Sequence, residues 1–124
     1  MEEMEQMLRK IERILAKDPN YKFETYSFVM AGLHHTVSKL PKPRHVSGRE
    51  LCEGLRDYAL EQFGPMARTV LEYWGIQSTG DFGKIVFNLI DAELLKKNEE
   101  DSIHDFENLY DFNQAFQYEI EEDS

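Results

Sequence analysis

The stretch SGRELCEGLRDYALEQFGPMARTVLEYWGIQSTGDFGKIVFNLI, residues 47–90, decides the fold class. It opens on Ser47 with Glu50 three residues later. In that pairing the hydroxyl accepts from the N3 amide while the carboxylate returns to the cap's own N–H, which predicts a helix start at this point. Leu51, Cys52, Leu55, Tyr58 and Ala59 fall on one face of that helix, and Phe63-Gly64-Pro65 ends it, because Gly leaves a helix and Pro suits the first turn of the next. A short helix over 65–74 buries some of Met66, Val70, Leu71 and Trp74 and closes on Gly75-Ile76, a glycine cap followed by an apolar contact back onto the last turn. Ser78 and Asp81 read as another capping pair. They open a helix whose Phe82, Ile85, Val86, Leu89, Ile90 and Leu94 form a wide apolar face fit for the centre of a core.

Working outward, Met4, Met7, Leu8, Ile11, Ile14 and Leu15 recur at helical spacing over Glu2 to Lys17 and stop at Asp18-Pro19-Asn20. Phe23, Tyr26, Met30, Leu33, Val37 and Leu40 repeat the pattern despite Gly32, until Pro41 and Pro43 end it. Beyond Lys97 the period changes: Phe106, Asn108, Tyr110 and Phe112 alternate with Glu107, Leu109 and Asp111 as in a half-buried strand. That strand would pair with 94–97 as a hairpin. A short helix from Ser102 capped by Asp105 fits the same residues, and a last helical turn fits 111–118. The expected architecture is mainly α: about five helices in one compact domain over 1–116, followed by an acidic C-terminal tail, 117–124, with little to bury. The order of a short helix, a glycine turn, a second helix and a hairpin fits a winged helix-turn-helix with 82–95 as reading helix. The same order is common in all-helical bundles that bind no nucleic acid.

The 124 residues are 41% apolar and carry a net charge of -10, yet residues 1–97 balance 14 Lys and Arg against 14 Asp and Glu. Residues 98–124 carry ten acids and no base, so the charge belongs to one end of the chain. The single Cys52 allows no intrachain disulfide and suits a reducing compartment. The first 17 residues are too charged for a secretory signal, and no run of 18 apolar residues occurs. A cytoplasmic protein without a membrane partner is the expectation.

One basic cluster stands out: Lys39, Lys42, Arg44 and Arg49, with His45 among them, around the loop that opens the third helix. Helix-start amides and the helix dipole there would favour an anion or an acidic partner, and the chain's own acidic end could compete for the place. The plainer reading is a stiff proline connector whose cations are solvated or locally paired. Trp74 beside Tyr73 offers aromatic contact area at a helix end, Phe87 stands off the main stripe of its helix, and the C-terminal aromatics either fold back or serve as anchors. The anion- or partner-binding candidates are therefore Lys42, Arg44, His45, Arg49 and Trp74. Neighbouring His34 and His35 point about 100° apart on a helix, which does not make a metal site. Cys52 on an apolar face reads as a small buried hydrophobe, and no phosphate loop, GxSxG or HExxH occurs, so no catalytic residue, metal or cofactor is expected. The presumptive reading helix offers two acids against one base, which makes nucleic acid a poor partner.

The run Pro41-Lys-Pro-Arg-His-Val-Ser-Gly-Arg-Glu-Leu51, then Asp57-Tyr-Ala-Leu-Glu-Gln-Phe-Gly-Pro-Met-Ala67, Trp74-Gly-Ile, Asp81-Phe-Gly, Ile85-Val-Phe-Asn-Leu-Ile90 and Tyr110-Asp-Phe, resembles a small bacterial family, the Minf-type proteins. The resemblance spans about Ile14 to Phe116. It implies a bacterial, cytoplasmic source, and it brings no substrate, cofactor or catalytic residue with it. The reading of the residues is thus a non-enzymatic protein-interaction or adaptor module, with a winged-helix nucleic-acid-associated regulator as the alternative.

Overall fold

Ser47 and Glu50 make the reciprocal cap: Glu50 N donates to Ser47 Oγ at 3.1 Å and Ser47 N donates to Glu50 Oε1 at 3.0 Å. The structure is a computed structural model that describes residues 2–117. The helices are α1 (Glu2–Lys17), α2 (Phe23–Ser38), α3 (Gly48–Phe63), α4 (Ala67–Tyr73) and α5 (Thr79–Asp91). A 3-10 turn at Gly64–Met66 leads into α4, and after α5 come a 3-10 turn at Ile103–Phe106 and a single helical turn at Phe112–Ala115. The chain is mainly helical, and the described residues contain no strand. The expectation of a tail falls, apart from Gln117, outside the described residues, as does Tyr118.

α5 lies at the centre of the core. Phe82, Ile85 and Leu89 are fully buried, together with Ile11 of α1, Tyr26 and Val29 of α2, Leu55 and Ala59 of α3, and Leu71 of α4. α2 and α3 approach closely because Gly54 carries no side chain where they cross; a Cβ there would run into Thr36. α4 ends as Gly75-Ile76 predicts. Gly75 N donates to Glu72 O at 3.0 Å, Ile76 N donates to Leu71 O at 2.9 Å, and Ile76 is fully buried.

The end of α5 uses the same motif without glycine. Glu93 N donates to Ile90 O and Leu94 N to Leu89 O, each at 2.9 Å, with Glu93 at φ 63°. A left-handed backbone costs an L-residue about 1 kcal/mol that glycine does not pay. Glu93→Gly is therefore expected to stabilise the fold by about 1 kcal/mol, raising the melting temperature by about 3–5 °C in a calorimetric scan. A variant that melts lower than the parent would refute the motif.

Three expectations are corrected. Ser78 is the N-cap of α5 but its hydroxyl makes no capping bond; Asp81 reaches one residue further back, accepting from Gln77 N at 2.8 Å and from Tyr21 OH at 2.5 Å. The capping carboxylate has been recruited to tie the α1–α2 connector to α5.

The hairpin does not form either. Ser102 and Asp105 make a capping box for the 3-10 turn, Asn108 takes φ 51°, and Asp111 caps the final helical turn through Asn113 N at 2.6 Å. An alternating pattern was present, but its aromatics go separate ways: Phe106 packs on Gly48 and Gly83, Tyr110 OH donates to Cys52 O at 2.7 Å, and Phe112 lies 5.8 Å from the Phe82 ring. Phe106, Phe112 and Phe116 are all buried, so the acidic segment up to residue 116 belongs to the domain.

Finally, α5 is not placed as a reading helix. A groove-reading helix needs one open face, whereas Thr79 and Gly83 are buried, Asp81 holds Tyr21, Phe87 meets Phe106 edge-on, and Asn88 Nδ2 donates to Tyr26 OH and Asp18 Oδ2 at 3.1 Å. Only Lys84 and Asp91 of α5 are exposed. Without wing or open face, the winged-helix geometry is absent from the described residues.

Candidate binding site

The proline connector 41–46 delivers Arg44 and His45 to the first turn of α3, where a pocket of about 220 Å³ opens between α2, α3, α5 and the 94–106 segment. Its floor is apolar, with Leu33 and Val37 of α2, Leu51 of α3, and Val86, Phe87 and Ile90 of α5. Leu95 and Phe106 close it from the C-terminal side. The rim is polar, carrying Arg44, His45, Ser47, Lys96 and Asp101. A small concave apolar surface with a few convergent polar groups is the usual form of a recognition site. At this volume it takes one large aliphatic or aromatic side chain rather than a drug-sized ligand.

Arg44 is not free to grip a ligand with its whole guanidinium. It forms a fork on Glu50, Nη1 to Oε1 at 3.1 Å and Nη2 to Oε2 at 2.7 Å, and Nη1 also donates to His45 O at 3.0 Å. The Arg44 hydrogen bonds, with the Ser47 amide, hold the Glu50 carboxyl well below the usual range, at about 2. Because the folded state binds that proton more weakly than the unfolded chain, the pair stabilises the fold above about pH 4.3 and its contribution disappears as pH falls toward 2. Glu50→Gln is thus expected to be less stable than the parent at pH 7 and to match it near pH 2; equal stability at both would show the fork to be energetically silent. The gain is modest, because both side chains are solvent-accessible.

His45 Nε2 lies 2.9 Å from Asp101 Oδ2, which brings the acidic C-terminal segment onto the basic loop across the mouth of the pocket. Asp101 is itself positioned by accepting from Asn98 N at 2.8 Å. The contact is made by Asp101; residues 118–124 lie outside the described residues.

The five candidate residues do not form one site. Arg44 and His45 stand on the pocket rim, while Lys42 and Arg49 are exposed beside it without lining it. Trp74 lies elsewhere: its ring is 5.6 Å from those of Phe28 and Phe63, the latter being the last residue of α3, about 20 Å from the first turn at 1.5 Å per residue. It is half-buried in an aromatic cluster, and the exposed aromatic of that end is Tyr73, with Lys22 Nζ 5.0 Å above its ring. Sequence reasoning missed Lys96 and the pocket floor. The one signal was Phe87, off the main stripe of α5, which does line the pocket.

Elsewhere Cys52 is fully buried and its thiol is pushed up to about 12 by burial, with Glu53 adding to the effect, so it stays protonated at neutral pH. His35 packs on the Tyr58 ring at 5.0 Å with Nε2 3.2 Å from Glu61, while His34 is exposed. Among the described residues no three His, Cys, Asp or Glu side chains converge as metal ligands. No helix of the described residues is long and apolar enough to cross a membrane. No protein-family model, curated protein or solved structure matches the chain.

Proposed function

We propose that this chain is a non-enzymatic interaction module that receives one large apolar side chain of a protein partner in the pocket between α2, α3 and α5. The observation that carries the reading is the pairing of an apolar floor with a polar rim on which the Lys96 ammonium stands exposed. Lys96 forms no ion pair within 4.0 Å among the described residues, so an acidic residue beside the partner's apolar anchor would meet it and the exposed Lys42. Burial of a single anchor side chain in such a pocket contributes about 1.5–3 kcal/mol, with the charges adding selectivity and association rate more than affinity. The Minf-type likeness, and with it a bacterial and cytoplasmic setting, is retained as a proposal and adds no chemistry. A nucleic-acid role would instead have to use the basic loop alone, and would weaken steeply with salt.

The test is selection of displayed random peptides against the protein. Enriched ligands are expected to carry a Leu, Met, Phe or Trp next to Asp or Glu. Val37→Trp, which fills the pocket from its half-exposed wall, and Lys96→Glu, which reverses the rim, should each weaken the best peptide at least about tenfold, or 1.4 kcal/mol. Lys96 is exposed, so an unchanged melt of Lys96→Glu verifies the fold. Peptides that bind both variants as well as the parent would place the site elsewhere.

A further inference from the structure

A second cavity, of about 350 Å³, lies where the C-terminal ends of α1 and α5 come together, and it shares no residue with the pocket described above. α1 contributes one row of bases, Lys10, Arg13 and Lys17, spaced three and four residues apart on one helix face. The same cavity is lined by three acids, Asp18 of the α1–α2 connector and Asp91 and Glu93 at the end of α5. Among the described residues none of these six charges forms an ion pair within 4.0 Å.

The acidic side is held rigidly. Asp18 Oδ1 accepts from Asn20 N at 3.2 Å and from Asn20 Nδ2 at 2.7 Å, and Asp18 Oδ2 accepts from Asn88 Nδ2, itself fixed on the hydroxyl of fully buried Tyr26. This side is also built against local preference. A helix C-terminal end carries partial negative charge and favours a base, yet the last turn of α5 has none and the helix ends on Asp91. Glu93 then takes the left-handed position that suits glycine. Departures from local rules gathered round one cavity mark a place that stability alone did not shape. We infer that this cavity binds a small zwitterion of amino-acid size, with its carboxylate on the α1 bases and its ammonium on the side of Asp18, Asp91 and Glu93. A purely anionic ligand would meet three carboxylates and two helix C-terminal ends, and a purely cationic one would meet three bases. A metal ion does not fit, because no three His, Cys, Asp or Glu side chains of the described residues converge as ligands. Nor does a nucleobase, since the apolar lining is Ile14 and Ala92 alone and offers no ring for stacking.

The experiment follows the backbone and Asn side-chain amide signals of the full chain by two-dimensional NMR at low salt. Glycine, γ-aminobutyrate and ε-aminocaproate are the zwitterions, a series of increasing charge separation, and butyrate and butylammonium are the controls of one sign. At least one zwitterion is expected to shift the Asn88 side-chain amide and the Glu93 amide saturably, with both controls at least about tenfold weaker. Added salt should weaken it. Lys10→Gln and Glu93→Gly should each reduce its affinity at least about fivefold. Because Glu93→Gly is expected to be the more stable protein, its lost binding is not lost folding. No saturable shift up to about 50 mM of any zwitterion, shifts confined to residues outside the cavity, controls that bind as well as the zwitterion, or variants that bind as the parent does would each overturn the proposal.

Discussion

Phe82→Ala is expected to lower the free energy of unfolding by about 4 kcal/mol, at least about a quarter of the roughly 5–15 kcal/mol a domain holds. Phe82 is fully buried on α5, the helix that every long element of the fold packs around or near, and its ring lies 5.8 Å from that of Phe112. Truncation removes the transfer energy of the ring and leaves a cavity whose walls are other helices, which relax only in part. The ring also supports the C-terminal aromatics: Phe112 stacks at 6.0 Å from Tyr110 and meets Phe116 edge-on at 4.9 Å, so losing Phe82 loosens a second layer. Val86→Ala, one turn along, serves as the contrast. Val86 lines the open pocket, so its truncation enlarges a space that solvent already reaches and should cost about 1 kcal/mol. Urea titration separates the two by midpoint at constant slope. Equal losses at both positions would contradict the placement of α5, and so would a loss under about 1.5 kcal/mol for Phe82→Ala.

Why α5 was legible and the pocket was not has a physical reason. Caps, glycine stops and the 3.6-residue period are local, so Ser47 with Glu50, Gly75-Ile76 and the Phe82 to Leu89 stripe announce themselves within a few residues. The C-terminal segment is decided by tertiary contacts. Its alternating aromatics have the period of a strand, but Gly48 and Gly83 leave a hollow that Phe106 fills, and Cys52 O offers Tyr110 a hydrogen bond; neither is visible along the chain. Asp81 teaches the same lesson. A capping carboxylate was read correctly as to type, yet Tyr21, sixty residues away, competes for it and moves the cap. For the site, charge drew attention to the basic loop, and Arg44 and His45 do stand on the rim. Trp74 was joined to them only because both features were chemically prominent, and α3 holds them apart at its two ends. The pocket floor comes from three helices and a returning segment, a coincidence in space that no local pattern encodes.

Gly75→Ala is expected to cost about 3 kcal/mol, the sum of a left-handed backbone for an L-residue and a collision with a carbonyl that has nowhere to go. Gly75 sits at φ 100°, and a Cβ there would fall on the backbone oxygen of Asn20, with the Tyr21 ring 3.4 Å away on the same side. A flexible side chain could swing aside, but this obstacle is main chain. It belongs to a connector fixed at several points, for Lys22 N donates to Trp74 O at 3.2 Å, Thr25 Oγ1 to the same oxygen at 3.4 Å, and Tyr21 OH to Asp81 at 2.5 Å. Moving Asn20 away from residue 75 therefore strains the bonds that hold the α1–α2 connector over the joint between α4 and α5. Gly75→Asn divides the two causes. Asn tolerates the left-handed region better than Ala, but it carries the same Cβ. If backbone strain dominated, Asn would recover most of the loss; because the collision is with fixed main chain, both variants are expected to melt within about 1 kcal/mol of each other and far below the parent. An Asn variant close to the parent would mean that the connector yields. The three hydrogen bonds would then be followers of the α4 cap rather than its clamp, and Tyr21→Phe, which removes one of them, should in that case leave stability unchanged.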